Sequence, residues 1–413
     1  MGYQQGLSGL AGASNALDVI GNNIANANTV GFKSSTAQFS DMYANSMATS
    51  VNTQIGIGTA LASVQQQFGQ GTINTTNSSL DVAINGNGFF QMSNNGTITY
   101  TRDGTFQRDK NGYIVNSQGL NLMGYAADKN GVINTAQTVP LQAPTTNIAP
   151  TATTKITGQF NLNSQDTVPT KTPFDATDTT TYNYSTSIQV YDSLGGSQAV
   201  NIYFVKSAAG TWEAYAGVQG GTTNDLGTIQ FDSSGAISGT TTGSPATPTA
   251  ALGQFQFTVP NTDGSATPQT LTLDLTGTTQ YGGKDGVNNL AQDGYASGTL
   301  TTFTIGTDGK LTGNYSNGQT AVLGQIALAN FNNPNGLVNI GGNQYAETAA
   351  SGVPQISVPG STNHGTLQGS ALENSNVDLT SQLVNLITAQ RNYQANAQTI
   401  KTQQTVDQTL INL

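Results

Sequence analysis

YQQGLSGLAGASNALDVIGNNIANAN, residues Tyr3 to Asn28, is the stretch from which the fold is read. Leu10, Ala13, Leu17, Ile20, Ile24 and Ala27 recur at alternating steps of three and four, the spacing of a coiled-coil seam. The pattern predicts an amphipathic helix roughly 40 Å long at 1.5 Å per residue. One narrow apolar stripe on a lone helix has to be covered by something else.

The far end of the chain supplies a match. Leu379, Leu383, Leu386, Gln390, Tyr393, Ala397 and Ile400 form a second stripe, which after a six-residue step moves to Val406, Leu410 and Leu413. That step breaks a strict heptad, so the seam is expected to drift around the helix. Asn376 or Asp378 is placed to cap its start, and no proline follows Gly360.

Between the two helices the texture is β. Short alternating runs such as Ile188 to Tyr191, Val200 to Val205, Phe255 to Val259 and Leu271 to Leu275 are separated by turn dipeptides, among them Asn95-Gly96, Asp103-Gly104 and Asp308-Gly309. The fold class expected is mainly β with α-helical termini: nested all-β domains, sandwich or barrel-like, plus an N- and C-terminal helix pair forming a coiled-coil-like inner layer. Prolines at 140, 144, 150, 169 and 173 mark a connector, and aromatics tighten again after Gly294. The division expected is helix 1–28, linker 29–70, a discontinuous β domain 71–145 plus 294–358, an inserted outer β domain 146–293, linker 359–377 and helix 378–413. Ends that flank one nested domain leave it side by side, so the helices can pair, and their remaining apolar faces call for further copies of the chain.

Composition removes most chemistry. Charged residues are 8% of the 413, against roughly a quarter in an average soluble protein. Net charge is −10 and the twelve Lys and Arg are scattered, so nucleic acid and anionic membrane are poor partners. No run is long enough for a membrane span, and neither part of a cleaved secretory signal is legible in the first thirty residues. With no cysteine, disulfides, thiolate metal sites and cysteine nucleophiles are excluded.

The single histidine, His364, has no triad partners in sequence and reads as a solvated linker residue. Asp81, Asp103 and Asp109 sit in turn-like settings, where Asp caps its own backbone more readily than it catalyses. Asn85-Gly86-Asn87-Gly88 lacks the Lys-Ser/Thr of a phosphate loop and reads as a hairpin turn. No catalytic, cofactor or metal residue is expected, and the chain reads as no enzyme. Leu10, Leu17, Ile20, Ile24, Leu379, Leu383, Leu386, Tyr393, Ile400 and Leu410 are the residues expected at subunit interfaces.

Three blocks carry a resemblance. The run from Asn26 to Lys33, through Asn28, Thr29, Gly31 and Phe32, resembles the signature of the flagellar rod and hook family of axial proteins, in which it closes the N-terminal helix. Leu80 to Phe90, with Tyr100-Thr101-Arg102-Asp103-Gly104, is similar to the start of that family's shared β domain. Ser375 to Leu379, continuing through Gln390, Arg391, Tyr393 and Asn396, resembles its C-terminal helix. The large inserted β domain points within that family to the hook. The resemblance implies a tubular, bendable homopolymer that transmits torque, sited outside the cell in the hook. It further implies export by the flagellar type III apparatus without a cleaved signal, and contacts with a hook cap protein, a distal rod protein and a hook-filament junction protein. Competing readings are a secreted adhesin, a polysaccharide hydrolase and a distal rod subunit.

Overall fold

A computed structural model describes residues 2–42, 56–128, 130–144, 146–242, 247–248, 251–261 and 263–411. The chain divides into two compact units, one of residues 1–145, 301–314 and 320–413, the other of 146–300 and 315–319.

In the first unit, helix α1 (Gly2–Ala25) lies against helix α2 (Leu379–Ile411). Helix α1 stops three residues before Asn28, because polar side chains there begin to serve the backbone. Asn26 Nδ2 donates to the Asn22 carbonyl at 2.9 Å, Thr29 Oγ1 donates to Asn26 Oδ1 at 3.2 Å, and Gly31 takes φ +68°. Phe32 then enters the body and is buried. At the other end Asp378 is the cap: its carboxylate accepts from the Thr380 amide at 2.9 Å and from Ser381 Oγ at 2.8 Å.

Residues 29–70 differ from the linker expected. They carry an antiparallel hairpin of β1 (Ser35–Met42) and β2 (Gly58–Gln66) that packs on α1. Its strands stay largely exposed, so no apolar alternation betrays them in sequence. Residues 359–377 likewise hold two strands: Thr366–Gly369 pairs with Val82–Asn85, and Ala371–Glu373 with Ile73–Thr75. Chain entry and chain exit therefore run antiparallel at the same place.

The body of this unit is a sheet in which Thr320–Ile326, Asn121–Ala126, Phe89–Asn94, Thr97–Thr101, Gln344–Ala346 and Val338–Gly341 lie side by side. Phe89–Asn94 is central and buried on both faces. Phe90 points into a core with Phe106, Ile114 and Leu328, while Phe89 meets Phe68, Phe331 and Tyr345 edge-on. Asn85 to Gly88 is not a hairpin turn, since the strands on either side belong to different sheets; Gly86 and Gly88, at φ +107° and +124°, let the chain cross between them.

The second unit is a β-sandwich. A six-stranded sheet in sequence order from Tyr184–Tyr191 to Thr247–Pro248 faces a four-stranded one ordered Gln254–Val259, Gln269–Asp274, Lys155–Asn161, Gly286–Gln292. Trp212, Phe204, Phe160, Phe255 and Leu271 fill the space between them.

Candidate assembly surface

Small residues decide how closely α1 and α2 approach. A Cβ on Gly6 would stand 2.9 Å from Ile400 Cγ1, and one on Gly9 2.6 Å from Asn396 Oδ1, so a larger residue at either position would displace the facing side chain. Ala13 and Ala389 are buried at the same contact. Along α2 the residues turned inward are Gln382, Leu386, Ala389, Asn396, Ala397, Ile400 and Gln403, which share Leu386, Ala397 and Ile400 with the apolar stripe and add amides beside them. Uncharged amides fill positions where leucine is the usual choice, and beyond Gln403 the described side chains of α2 are all exposed. On another side of α1 the hairpin closes in: Phe39 and Thr59 stand 3.5 and 3.4 Å from where a Gly12 Cβ would lie. Asn23, 1% exposed, donates to the Ser35 carbonyl at 2.8 Å and accepts its amide at 2.9 Å. A cleft of about 440 Å³ remains among the three, bordered by Gly9, Ala16, Phe39 and Asn392.

The residues expected at subunit interfaces divide into two groups. Leu10, Leu17, Ile20, Ile24, Leu386 and Ile400 are half-buried beside the α1–α2 contact. Leu379, Leu383 and Tyr393 stay exposed, at 44, 49 and 38%. The Leu410 side chain lies outside the described residues. Of the motif residues, Gly31 and Phe32 are buried, Asn26 and Thr29 shape the end of α1, Asn396 faces Gly9, and Asn28, Gln390 and Arg391 are exposed. Val384 and Ile387, which the heptad reading passed over, add to the exposed apolar surface of α2.

Behind the helices lies a buried ionic cluster. Glu373 Oε1 accepts from Lys33 Nζ at 2.6 Å and Oε2 from Arg102 Nη1 at 3.1 Å, and the three side chains are at most 3% exposed. Lys33 Nζ also donates to the Gly69 carbonyl at 2.9 Å, Arg102 Nη2 to that of Gly86 at 2.8 Å, and the Gly71 amide to Glu373 Oε1 at 2.9 Å. Burial, and then the neighbouring guanidinium, pull the Lys33 pKa below its ordinary value, while Glu373 opposes them. Burial likewise lowers that of Arg102, whose ring-face neighbour is Phe89 at 5.4 Å. Asn376 ties the same region: its Nδ2 donates to Gln67 O at 2.7 Å and its Oδ1 accepts from the Ser34 amide at 2.8 Å.

Charge scarcity was the available signal for this cluster. In a chain with 34 ionisable acids and strong bases, the three of this cluster fall at the end of the first motif block, inside the second and just before the third. The glycine face of α1 and the role of Asn23 had no such mark.

Elsewhere the polar groups serve turns. Asp103 accepts from the Thr105 amide at 3.0 Å, and Asp109 from those of Asn111 and Tyr113 at 2.9 and 2.7 Å. His364 is half-buried rather than solvated, its ring nitrogens 3.0 and 2.9 Å from the carbonyls of Thr362 and Gln355. Among the described residues no helix is long and apolar enough to cross a membrane.

Four family models match along the chain. They are the flagella basal body rod protein over residues 4–33, the flagellar hook protein FlgE/F/G D1 domain over 83–157, the flagellar basal body protein FlaE D2 domain over 161–295 and the flagellar basal body rod FlgEFG protein C-terminal region over 368–413. The flagellar hook protein FlgE of Salmonella typhimurium is 42% identical over 424 residues, spanning 100% of both chains. That of Treponema pallidum is 33% identical, over 99% of this chain and 98% of its own. The crystal structure of Helicobacter pylori flagellar hook protein FlgE2 shares the fold with a TM-score of 0.50 at 16% identity, covering 73% of this chain and 100% of that one.

Proposed function

We propose, from the premise that this chain belongs to the flagellar hook protein FlgE family, that its terminal helices are the part through which copies of it pack into the hook. The protein is a structural subunit of the hook and not an enzyme. Family membership leaves no ground for the adhesin, hydrolase and distal-rod readings.

The observation that carries the proposal is the unpartnered apolar surface of α2. Leu379, Leu383, Val384, Ile387, Tyr393 and Val406 stay exposed although α2 already packs on α1. Such a surface on one element marks an association site. In this reading α1 and α2 line the inner layer of a tube. The family relation further supports a place outside the cell, export through the flagellar type III apparatus, and contacts with a hook cap, the distal rod and the hook-filament junction protein.

Electron microscopy of purified protein, whole and lacking residues 1–29 or 378–413, tests the helix assignment. Full-length chains are expected to form tubes and both truncations to remain monomers with a folded β body. Tubes grown from either truncation would overturn it.

A further inference from the structure

The structure assigns to Lys33, Arg102 and Glu373 the role of a clasp that fixes the direction in which both terminal helices leave the body. The inference rests on the reading of the helices as the assembling layer and adds the residues that aim them. Glu373 is the only acid in the cluster, and its two oxygens are divided between cations from different segments: Lys33, which follows α1, and Arg102, on the body. Glu373 itself stands six residues before α2. One carboxylate therefore holds the end of one helix, the start of the other and the sheet that supports them.

Backbone geometry makes the clasp directional. The Gly31 amide donates to the Glu373 carbonyl at 2.8 Å, and a Cβ on Gly31 would lie 2.7 Å from the Arg102 carbonyl carbon and the Asp103 nitrogen. A Cβ on Gly71 would lie 2.0 Å from the Asn374 carbonyl oxygen, in the segment whose own amide donates to Glu373. Chains this close admit one arrangement. Buried ion groups are poor sources of stability, because desolvation offsets their attraction, yet they reject alternative pairings by leaving a charge unmatched. Two cations around one carboxylate, with the Arg102 Nε unpaired, fit a device that selects geometry and not one that maximises stability.

Glu373→Gln keeps the shape and places an amide group against one of the two cations. Hydrogen exchange on the monomer, melting temperature, and electron microscopy of tubes are read together, with K33M/R102M/E373M as an apolar second variant in case the first fails to fold. The expected result is exchange at Gly31 and Gly71 at least tenfold faster, a β body that still melts cooperatively, and tubes that are short or altered in curvature. The apolar variant is expected to melt near the parent temperature and still build misshapen tubes. Parental length and curvature from either folded variant would overturn the clasp. Failure of the parent chain itself to form tubes would overturn the assembly reading, and the exchange and melting data would still decide whether the clasp aims the helices.

Discussion

Gly31 shows how much one residue carries. It was legible as a residue able to take positive φ after the helix, and it does so, but the reason it admits no substitute is a contact with Arg102 and Asp103 seventy positions away, which no local pattern reveals. Gly31→Ala combines about 1–2 kcal/mol of backbone strain with a clash against backbone. A loss of roughly 3 kcal/mol or more in chemical denaturation is expected, larger than most single substitutions give. Tyr345 carries a pH dependence. Burial among Phe68 and Phe89 pushes its phenol up to about 12, while Gln66 and the Arg102 guanidinium pull it back. The folded state then holds a proton that the unfolded chain releases from pH 10 upward. This contribution is whole below pH 10 and is lost as pH rises toward 12, about 3 kcal/mol in all. Tyr345→Phe is expected to flatten that part of the decline in denaturant midpoint between pH 10 and 12.

At the scale of elements, the terminal helices and the β character between them were legible because periods of 3.6 and 2 survive in the sequence. The hairpin of β1 and β2 was not, since exposed strands keep no apolar alternation. The seam of α2 keeps Leu386, Ala397 and Ile400 of the stripe read from sequence, while Gln382, Ala389, Asn396 and Gln403 take the inward places that Leu379, Leu383, Gln390 and Tyr393 were expected to hold. A rule that assigns leucines to the contact fails when the facing helix is glycine-lined and an asparagine fits better. Leu379, Leu383 and Tyr393 were thereby left on the outside, where the assembly proposal needs them. Gly9→Leu directs a side chain into Asn396 and is expected to separate α1 from α2. Circular dichroism should show reduced helix with the β signal retained, and tube formation should fall at least tenfold in rate.

For the whole molecule, the scarcity of charge sets the character of the surface. Amide and hydroxyl contacts exchange with water at little net gain each, so surfaces built of them hold one another weakly and reversibly. Lys-Glu pairs introduced on the exposed face of residues 146–293 are expected to straighten or stiffen hooks, read as reduced curvature in micrographs and slower swimming. Unchanged curvature would count against loose outer contacts as the source of bending.

The pairing of Ile73–Thr75 with Ala371–Glu373 has a temporal meaning. The Gly71 amide and the carboxylate it needs are 302 positions apart. A chain synthesised amino end first has most of its length made before that partner arrives. Contacts of such long range form late, because a large loop must close before they return anything. The strands that complete the body and the acid that closes the clasp come from the last tenth of the chain. The body therefore closes only once the carboxyl-terminal part of the chain is in place.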